Sequence, residues 1–368
     1  MGQQIRLSAT IEHSTRVFRA NRKADIWALR RSFSLFDCQY REMSSLAKKL
    51  IDPRKLVDIA LEATIAPSFT KIGPAVRGRL FDWEPIRHVP GRRVVITGAN
   101  SGIGFAGARL LAIAGASVTV VARNVERGTK AVEELNQIAG ADVTLEIADL
   151  SSLESVEDFA NRLLDAGEPI DTLVHNAGAL HNPRQESVDG NELTLATHVI
   201  GPFKLTEMLR PLLRIGDDPR VVTMASGGLY GQGVSMSDLQ TTREYSGTKA
   251  YARAKRAQLL LSSKWDEILI PEGIESYVMH PGWVDTAGVA DALPGFGKLV
   301  GPLLRSPEEG ADTLAWLSTQ PTAELGSSGF WLDRARRPEH RIPNTKSADR
   351  KTDALWQEIS ELAGVLPS

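Results

Sequence analysis

A single cysteine, Cys38, stands among 368 residues. That excludes an intramolecular disulfide framework and any cysteine-rich metal site, and it fits a reducing compartment. Long apolar runs are missing too. The nearest, Leu110 to Ala122, is 13 residues long and contains Gly115, short of the roughly 18 that a membrane-spanning helix needs. The first 30 residues scatter Arg and Lys rather than setting a basic start before an apolar block, so no secretory signal is expected. The expectation is a cytoplasmic protein.

Charge of one sign is absent from the total, −2, but not from its parts. Residues 1–91 hold 16 Lys and Arg against 9 Asp and Glu, whereas residues 92–368 hold 27 against 36. The acidic body offers no basic footprint for a phosphate backbone, which argues against a nucleic-acid partner. The basic start is a candidate for peripheral contact with anionic lipid. The plainer reading is a solvated helix face, since its cations are interspersed with Asp and Glu. His175, His181, His198 and His280 share no helical spacing with a carboxylate, so no metal site is expected.

What is present is an ordered alternation. From Ser45, apolar residues at Leu46, Leu50, Leu56, Ile59 and Ala63 recur at helical spacing and predict an amphipathic helix ending near Ala66-Pro67. Met43, just before it, is a candidate natural start. Pro90-Gly91 is a breaker pair and marks the expected boundary of the main domain. Beyond it, strands are predicted at Arg93–Ile96, Ser117–Ala122, Val143–Ile147, Thr172–His175, Arg220–Met224, Glu275–Met279 and Phe330–Leu332, with helices at Gly102–Ala114 and Gly128–Ile138 between the first three. Strands alternating with helices pair in parallel through right-handed crossovers. The fold class is therefore α/β, a doubly wound seven-stranded parallel sheet, with an N-terminal helical extension over 1–91, the sheet domain over 92–335 and a tail with a helix over 336–368.

Directly after the first strand comes Gly98-Ala99-Asn100-Ser101-Gly102-Ile103-Gly104, and a helix follows at once. Glycines there let the backbone approach a pyrophosphate, whose charge rests on free N–H groups at the helix N-terminus. No Gly-Lys-Ser/Thr follows, which argues against a P-loop nucleotidase. At the end of the second strand, where a carboxylate would bind the ribose hydroxyls of NAD, the chain reads Ala122-Arg123-Asn124. Arg123 offers a planar cation for a 2′-phosphate, so NADP(H) is expected in preference to NAD(H).

Gly98 to Gly104, Asn176-Ala177-Gly178, Ser226, Tyr251-Ala-Arg-Ala-Lys255 and Pro281-Gly282 together resemble the short-chain dehydrogenase/reductases, over roughly Arg92 to Ala335. More narrowly, Ser226-Gly-Gly-Leu, the stretch from His280 to Val289 and Pro294-Gly-Phe are similar to that family's member 12 group. The resemblance implies a Rossmann-type fold and an oxidoreductase interconverting a carbonyl and an alcohol on a small-molecule substrate. It implies Tyr251 as acid/base, Lys255 as its electrostatic partner and Ser226 as the donor that polarises the substrate oxygen. It also implies cofactor contacts at Gly98, Asn100 to Gly104, Arg123, Asn124, Asp149, Leu150, Asn176, Ala177, Gly178, Tyr251, Lys255, Pro281, Gly282, Val284 and Thr286. Subunit pairing through two mid-domain helices, giving a homo-oligomer, is the family's habit, and the extra start or the tail helix would add to that contact or block it.

Two features leave alternatives open. Tyr245-Ser-Gly-Thr-Lys249 repeats the Tyr–Lys spacing six residues earlier; the second pair is preferred because Gly247 weakens a helix around the first. In place of the family's usual Asn, the chain has His198-Val-Ile-Gly201. An imidazole there either holds a relay water and titrates near pH 6.5 or merely fills space. A low-charge stretch between Trp283 and Leu304 favours an apolar, lipid-like substrate. The rival reading is a cofactor-binding sensor or interaction protein that has kept the fold and lost turnover.

Overall fold

Runs of β-branched residues become the strands, and their alternation with helices sets the pairing. The computed structural model describes residues 52–286, 301–326, 328–341, 343–346 and 349–365. Helices α1 (Pro53–Ala63), α2 (Ala66–Phe69) and α3 (Ile72–Leu80) precede β1 (Arg93–Thr97). Then come α4 (Gly102–Ile113), β2 (Ser117–Ala122), α5 (Val125–Leu135), β3 (Asp142–Ile147), α6 (Leu153–Ala166) and β4 (Thr172–His175). A short helix α7 (Leu193–Leu195) passes through a π-helical stretch (Ala196–Ile200) into α8 (Gly201–Arg214), followed by β5 (Arg220–Met224), α9 (Gly247–Leu269) and β6 (Glu275–Met279). The chain closes with α10 (Pro307–Thr319), α11 (Thr322–Leu325), β7 (Phe330–Leu332), β8 (Ala335–Arg337), α12 (Pro343–Lys346) and α13 (Thr352–Ala363).

The strands lie in the order β3-β2-β1-β4-β5-β6-β7-β8. The first seven are parallel, the Rossmann-type arrangement, and the order reverses between β1 and β4. An eighth strand joins the expected seven: β8 runs antiparallel to β7 across Asp333-Arg334, whose φ values are 53° and 55°. Such a tight hairpin needs positive φ at both central residues, which Asn-Gly would announce and Asp-Arg does not. Helix α5 starts three residues earlier than expected because the Asn124 side chain accepts the Arg127 N–H at 2.8 Å and caps it. The start of the predicted helix at Ser45, Met43, Cys38 and most of the stretch between Trp283 and Leu304 fall outside the described residues. Among the described residues no helix is long and apolar enough to cross a membrane.

Side chains on a strand point alternately to its two faces, and the two cores divide accordingly. Val94 and Ile96 of β1 join Ala108 and Leu111 of α4, Leu135 of α5 and Leu314 of α10 on one side. Val95 between them joins Phe159 of α6, Leu209 of α8 and Leu260 and Trp265 of α9 on the other. Of the two units into which the chain divides, 1–60 and 61–368, the second contains the whole sheet. That second unit takes in residues 61–91, whose Phe69 is only 3% exposed.

The tail helix packs on two helices of the sheet domain. Trp356 of α13 meets Phe203 of α8 edge-on at 4.7 Å between ring centroids and Trp265 of α9 at 4.6 Å. Helices α8 and α9 thus both give part of their surface to the chain's own tail. Edge-to-face rings add to the large area that such aromatic groups bury. Trp356→Ala is expected to lower stability by about 3–5 kcal/mol, checked by urea unfolding followed by circular dichroism.

Candidate active site

Every parallel strand from β1 to β6 ends at one edge of the sheet, and the chain segments that leave those ends carry the residues singled out by sequence. Gly98 to Gly104 lie between β1 and α4, Arg123 and Asn124 after β2, Asp149 and Leu150 after β3, Asn176 to Gly178 after β4, Ser226 after β5, and Pro281 to Thr286 after β6. This is the carboxyl edge at a topological switch point, where open α/β sheets bind ligands. Asn176 ties two of these loops together: its side-chain N–H groups donate to the carbonyls of Thr97 (2.8 Å) and Gly98 (3.0 Å). A Cβ at Gly104 would lie 2.3 Å from Asn176 Nδ2 and 2.5 Å from the Gly98 carbonyl oxygen. Only glycine allows the helix to begin so close to the loop. Thr97, which sequence reasoning did not single out, completes the joint by accepting the N–H groups of Asn176 (3.0 Å) and Ala177 (3.1 Å) on its hydroxyl. Its place just before the glycine loop was the available signal.

Helix α9 separates the two Tyr–Lys pairs geometrically. Its first residue is Gly247, so Tyr245 stands outside the helix and cannot share a face with Lys249. The Tyr245 hydroxyl is engaged elsewhere, at 3.0 Å from both the His181 carbonyl oxygen and Glu192 Oε1, and its pKa is pushed up to about 12, first by burial and then by the Glu192 charge. Tyr251 and Lys255 both lie within α9, the Lys255 ammonium 5.4 Å from the Tyr251 ring centroid. Ser226 lies beside the Tyr251 hydroxyl, near enough to lower its pKa. Ser226 itself caps the short turn Gly227–Tyr230, its hydroxyl accepting the Gly228 N–H at 3.2 Å.

Burial dominates the electrostatics of the pair. It raises the Tyr251 pKa above its ordinary 10, and Ser226 opposes that rise only in part. Burial pushes Lys255 down to about 7, while its Nζ donates to the Met224 carbonyl at 2.7 Å. An acidified phenol is therefore not a property of the polypeptide alone.

His198 sits in the π-helical stretch, its Nε2 2.9 Å from the Ala179 carbonyl oxygen and 3.1 Å from the Ala179 nitrogen, its ring edge-on to Tyr251 at 5.4 Å. Burial, reinforced by the Lys255 charge, holds its pKa well below 6.5. That favours the neutral imidazole. Gln258, also missed from sequence, donates to the His198 carbonyl at 2.8 Å and so steadies the π turn.

Toward the far end of the edge, Arg123 is exposed, and among the described residues no carboxylate lies within ion-pair distance of it. Asp149 accepts the Ser151 N–H (2.9 Å) and hydroxyl (2.7 Å) on Oδ1, while the cap of α6 is Ser152. Thr286 approaches the glycine loop, its methyl 3.6 Å from where a Cβ on Gly102 would stand. A glycine cradle, an exposed cation and a buried ammonium along one edge fit the phosphates, ribose and nicotinamide of a dinucleotide.

Comparison with known proteins agrees. Residues 92–294 match the short chain dehydrogenase family model. The chain belongs to that family of oxidoreductases, which act with nicotinamide cofactors. The bovine dehydrogenase/reductase SDR family member 12 is 38% identical over 279 residues, spanning 75% of this chain and 87% of that protein. Mouse polyprenol dehydrogenase is 35% identical over 286 residues, 75% of this chain and 84% of its own length. Among solved structures, a Mycobacterium paratuberculosis protein superposes with a TM-score of 0.62 at 29% identity, covering 78% of this chain and 99% of that one.

The Lys255 shift makes a stability prediction. Its folded value, about 7, lies below the ordinary 10.5, so the unfolded chain binds more protons between those values and stability rises with pH across that window. Lys255→Met should remove this rise, seen as a smaller difference between urea midpoints at pH 7 and pH 9.5 than in the parent.

Proposed function

We propose that the protein is an NADP(H)-dependent oxidoreductase that interconverts a carbonyl and an alcohol on a small apolar or lipid-like substrate. The observation that carries this reading is the meeting of Ser226, Tyr251 and Lys255 at the carboxyl edge, beside the glycine loop. In the reductive direction a carbonyl oxygen placed against Ser226 and Tyr251 accepts a hydrogen bond from the serine hydroxyl and a proton from the phenol. A nicotinamide held along this edge would supply the hydride, or take it up in the reverse direction. Lys255, buried beneath the phenol, favours the phenolate left behind through its positive charge and holds its place through the Met224 carbonyl.

Preference for NADP(H) is supported by Arg123 and by the missing acid at the end of β2. An apolar substrate is supported by the low charge of the sequence between Trp283 and Leu304 and by the polyprenol named for the mouse relative. Against the sensor reading stands the presence of Ser226, Tyr251 and Lys255 together.

With NADPH and a panel of hydrophobic aldehydes and ketones, the purified protein should oxidise the cofactor, read as loss of absorbance at about 340 nm. Tyr251→Phe should lower kcat by at least about a hundredfold, the low end of what a positioned proton donor contributes, with NADPH binding retained, whereas Tyr245→Phe should keep most turnover. The reverse outcome transfers the role to Tyr245, and cofactor binding without turnover by the parent favours the sensor.

Arg123→Asp tests the cofactor assignment separately. It should raise the KM for NADPH far more than that for NADH; an equal effect on both refutes it.

A further inference from the structure

The segment Glu62–Leu80 lies upstream of the residues shared with the family model, yet it enters the site from behind. Phe69 packs edge-on against His280 (4.4 Å between centroids) and Trp283 (5.8 Å). A Cβ on Gly227, the residue after Ser226, would lie 2.5 Å from Phe69 Cε2. The Phe69 carbonyl accepts the Trp283 N–H at 2.7 Å, and the preceding N–H, that of Gly282, goes to His280 Nδ1 at 3.0 Å. The first two amides after Pro281 are thus held, one of them by the upstream segment.

A buried charge cluster fixes the segment in place. Arg305 Nη1 and Nη2 donate to the two oxygens of Asp333 at 2.6 and 3.0 Å. The remaining Arg305 donors reach the carbonyls of Ser68 (2.7 Å), Phe69 (3.1 Å) and Thr70 (3.2 Å). Arg77, also fully buried, pairs with Asp333 at 2.6 Å and with Glu62 at 2.9 Å. A buried guanidinium is tolerated only when its donors are met, so Arg305 depends on three successive carbonyls of this segment. The Arg305 backbone in turn pairs with the turn after β6: its N–H donates to Trp283 O at 2.8 Å and its carbonyl accepts the Asp285 N–H at 2.9 Å. Lys71 N–H donates to Leu303 O at 3.0 Å.

We propose that residues Glu62–Leu80 form a positioning strap for the reaction, with Phe69 setting the Ser226 turn through Gly227 and the Pro281–Thr286 turn through Trp283 and Arg305. The proposal rests on the assignment of those two turns to the reaction site. Phe69 touches no reacting atom; it acts through the backbone that carries Ser226 and Thr286. A displacement of about 1 Å at such a distance lowers rates by up to a hundredfold.

The test uses the full chain and the turnover assay above, with Phe69→Ala, Phe69→Leu and a core control, Phe159→Leu in α6, which belongs to a separate core cluster and touches neither turn. Folded Phe69→Ala is expected to lose about tenfold or more in kcat while the NADPH dissociation constant moves less than about threefold, and Phe69→Leu to recover much of the loss. The control should keep its kcat despite a comparable fall in melting temperature. If Phe69→Ala fails to fold, amide hydrogen exchange on Phe69→Leu decides. Faster exchange in peptides covering 226–230 and 280–286 than elsewhere in the sheet domain supports the strap. Parental kcat in folded Phe69→Ala, equal losses in the control, or unchanged exchange in those peptides overturns it. Exchange needs no turnover, so a protein in which Tyr251→Phe keeps full activity would refute the site assignment without touching the strap's hold on these turns.

Discussion

The side-chain amide of Asn176 spans the carbonyls of Thr97 and Gly98 where β1 and β4 part company. Between neighbouring parallel strands whose crossovers leave in opposite directions there is no continuing ladder to absorb those carbonyls, and a buried unpaired carbonyl is costly. One amide meets both, and the Thr97 hydroxyl meets the two N–H groups on the other lip. The cleft that results is open yet satisfied. The glycine loop, the approach of α4 and the place of Ser226 and Tyr251 across the edge all depend on that joint remaining shut.

Burial governs the electrostatics. In the polypeptide as it stands, the phenol of Tyr251 is pushed toward its neutral form and the ammonium of Lys255 toward losing its proton, for the same reason: both charged states are poorly solvated beneath the sheet edge. Neither shift by itself makes a proton donor matched to neutral pH. The groups are arranged so that stabilising the phenolate and the ammonium together is mutually favourable, which couples the proton chemistry to what else binds beside them. His198, neutral and held by Ala179, contributes shape rather than charge to this arrangement.

The strap shows how a segment outside the shared family region becomes part of its site. Arg305 and Arg77 converge on Asp333, a residue at φ 53° in the turn between β7 and β8. The hairpin, the return from the stretch after β6 and the upstream helices therefore meet at one carboxylate. Clusters of this kind add specificity of arrangement more than net stability.

The parallel sheet was legible in the sequence because its signal is local. Thr172–His175 and Glu275–Met279 are short β-branched or apolar runs between breakers, and a fully buried strand needs nothing else. Gly98 to Gly104 and Tyr251-x-x-x-Lys255 were legible because one turn and one helix carry each. Where two candidates shared a spacing, Tyr245 and Tyr251, only the observed helix start at Gly247 put one phenol beside Ser226 and turned the other toward Glu192. The neutral state of His198 required its burial, and the hold of Phe69 on Trp283 joins residues more than two hundred positions apart. Sequence by itself determined the strands, their parallel pairing and the types of chemical group on offer, since period and turn chemistry are properties of neighbouring residues. Which of those groups meet, how each is charged, and that an upstream segment braces them were decided by the tertiary structure alone, because solvation and long-range contact exist only once the chain has closed.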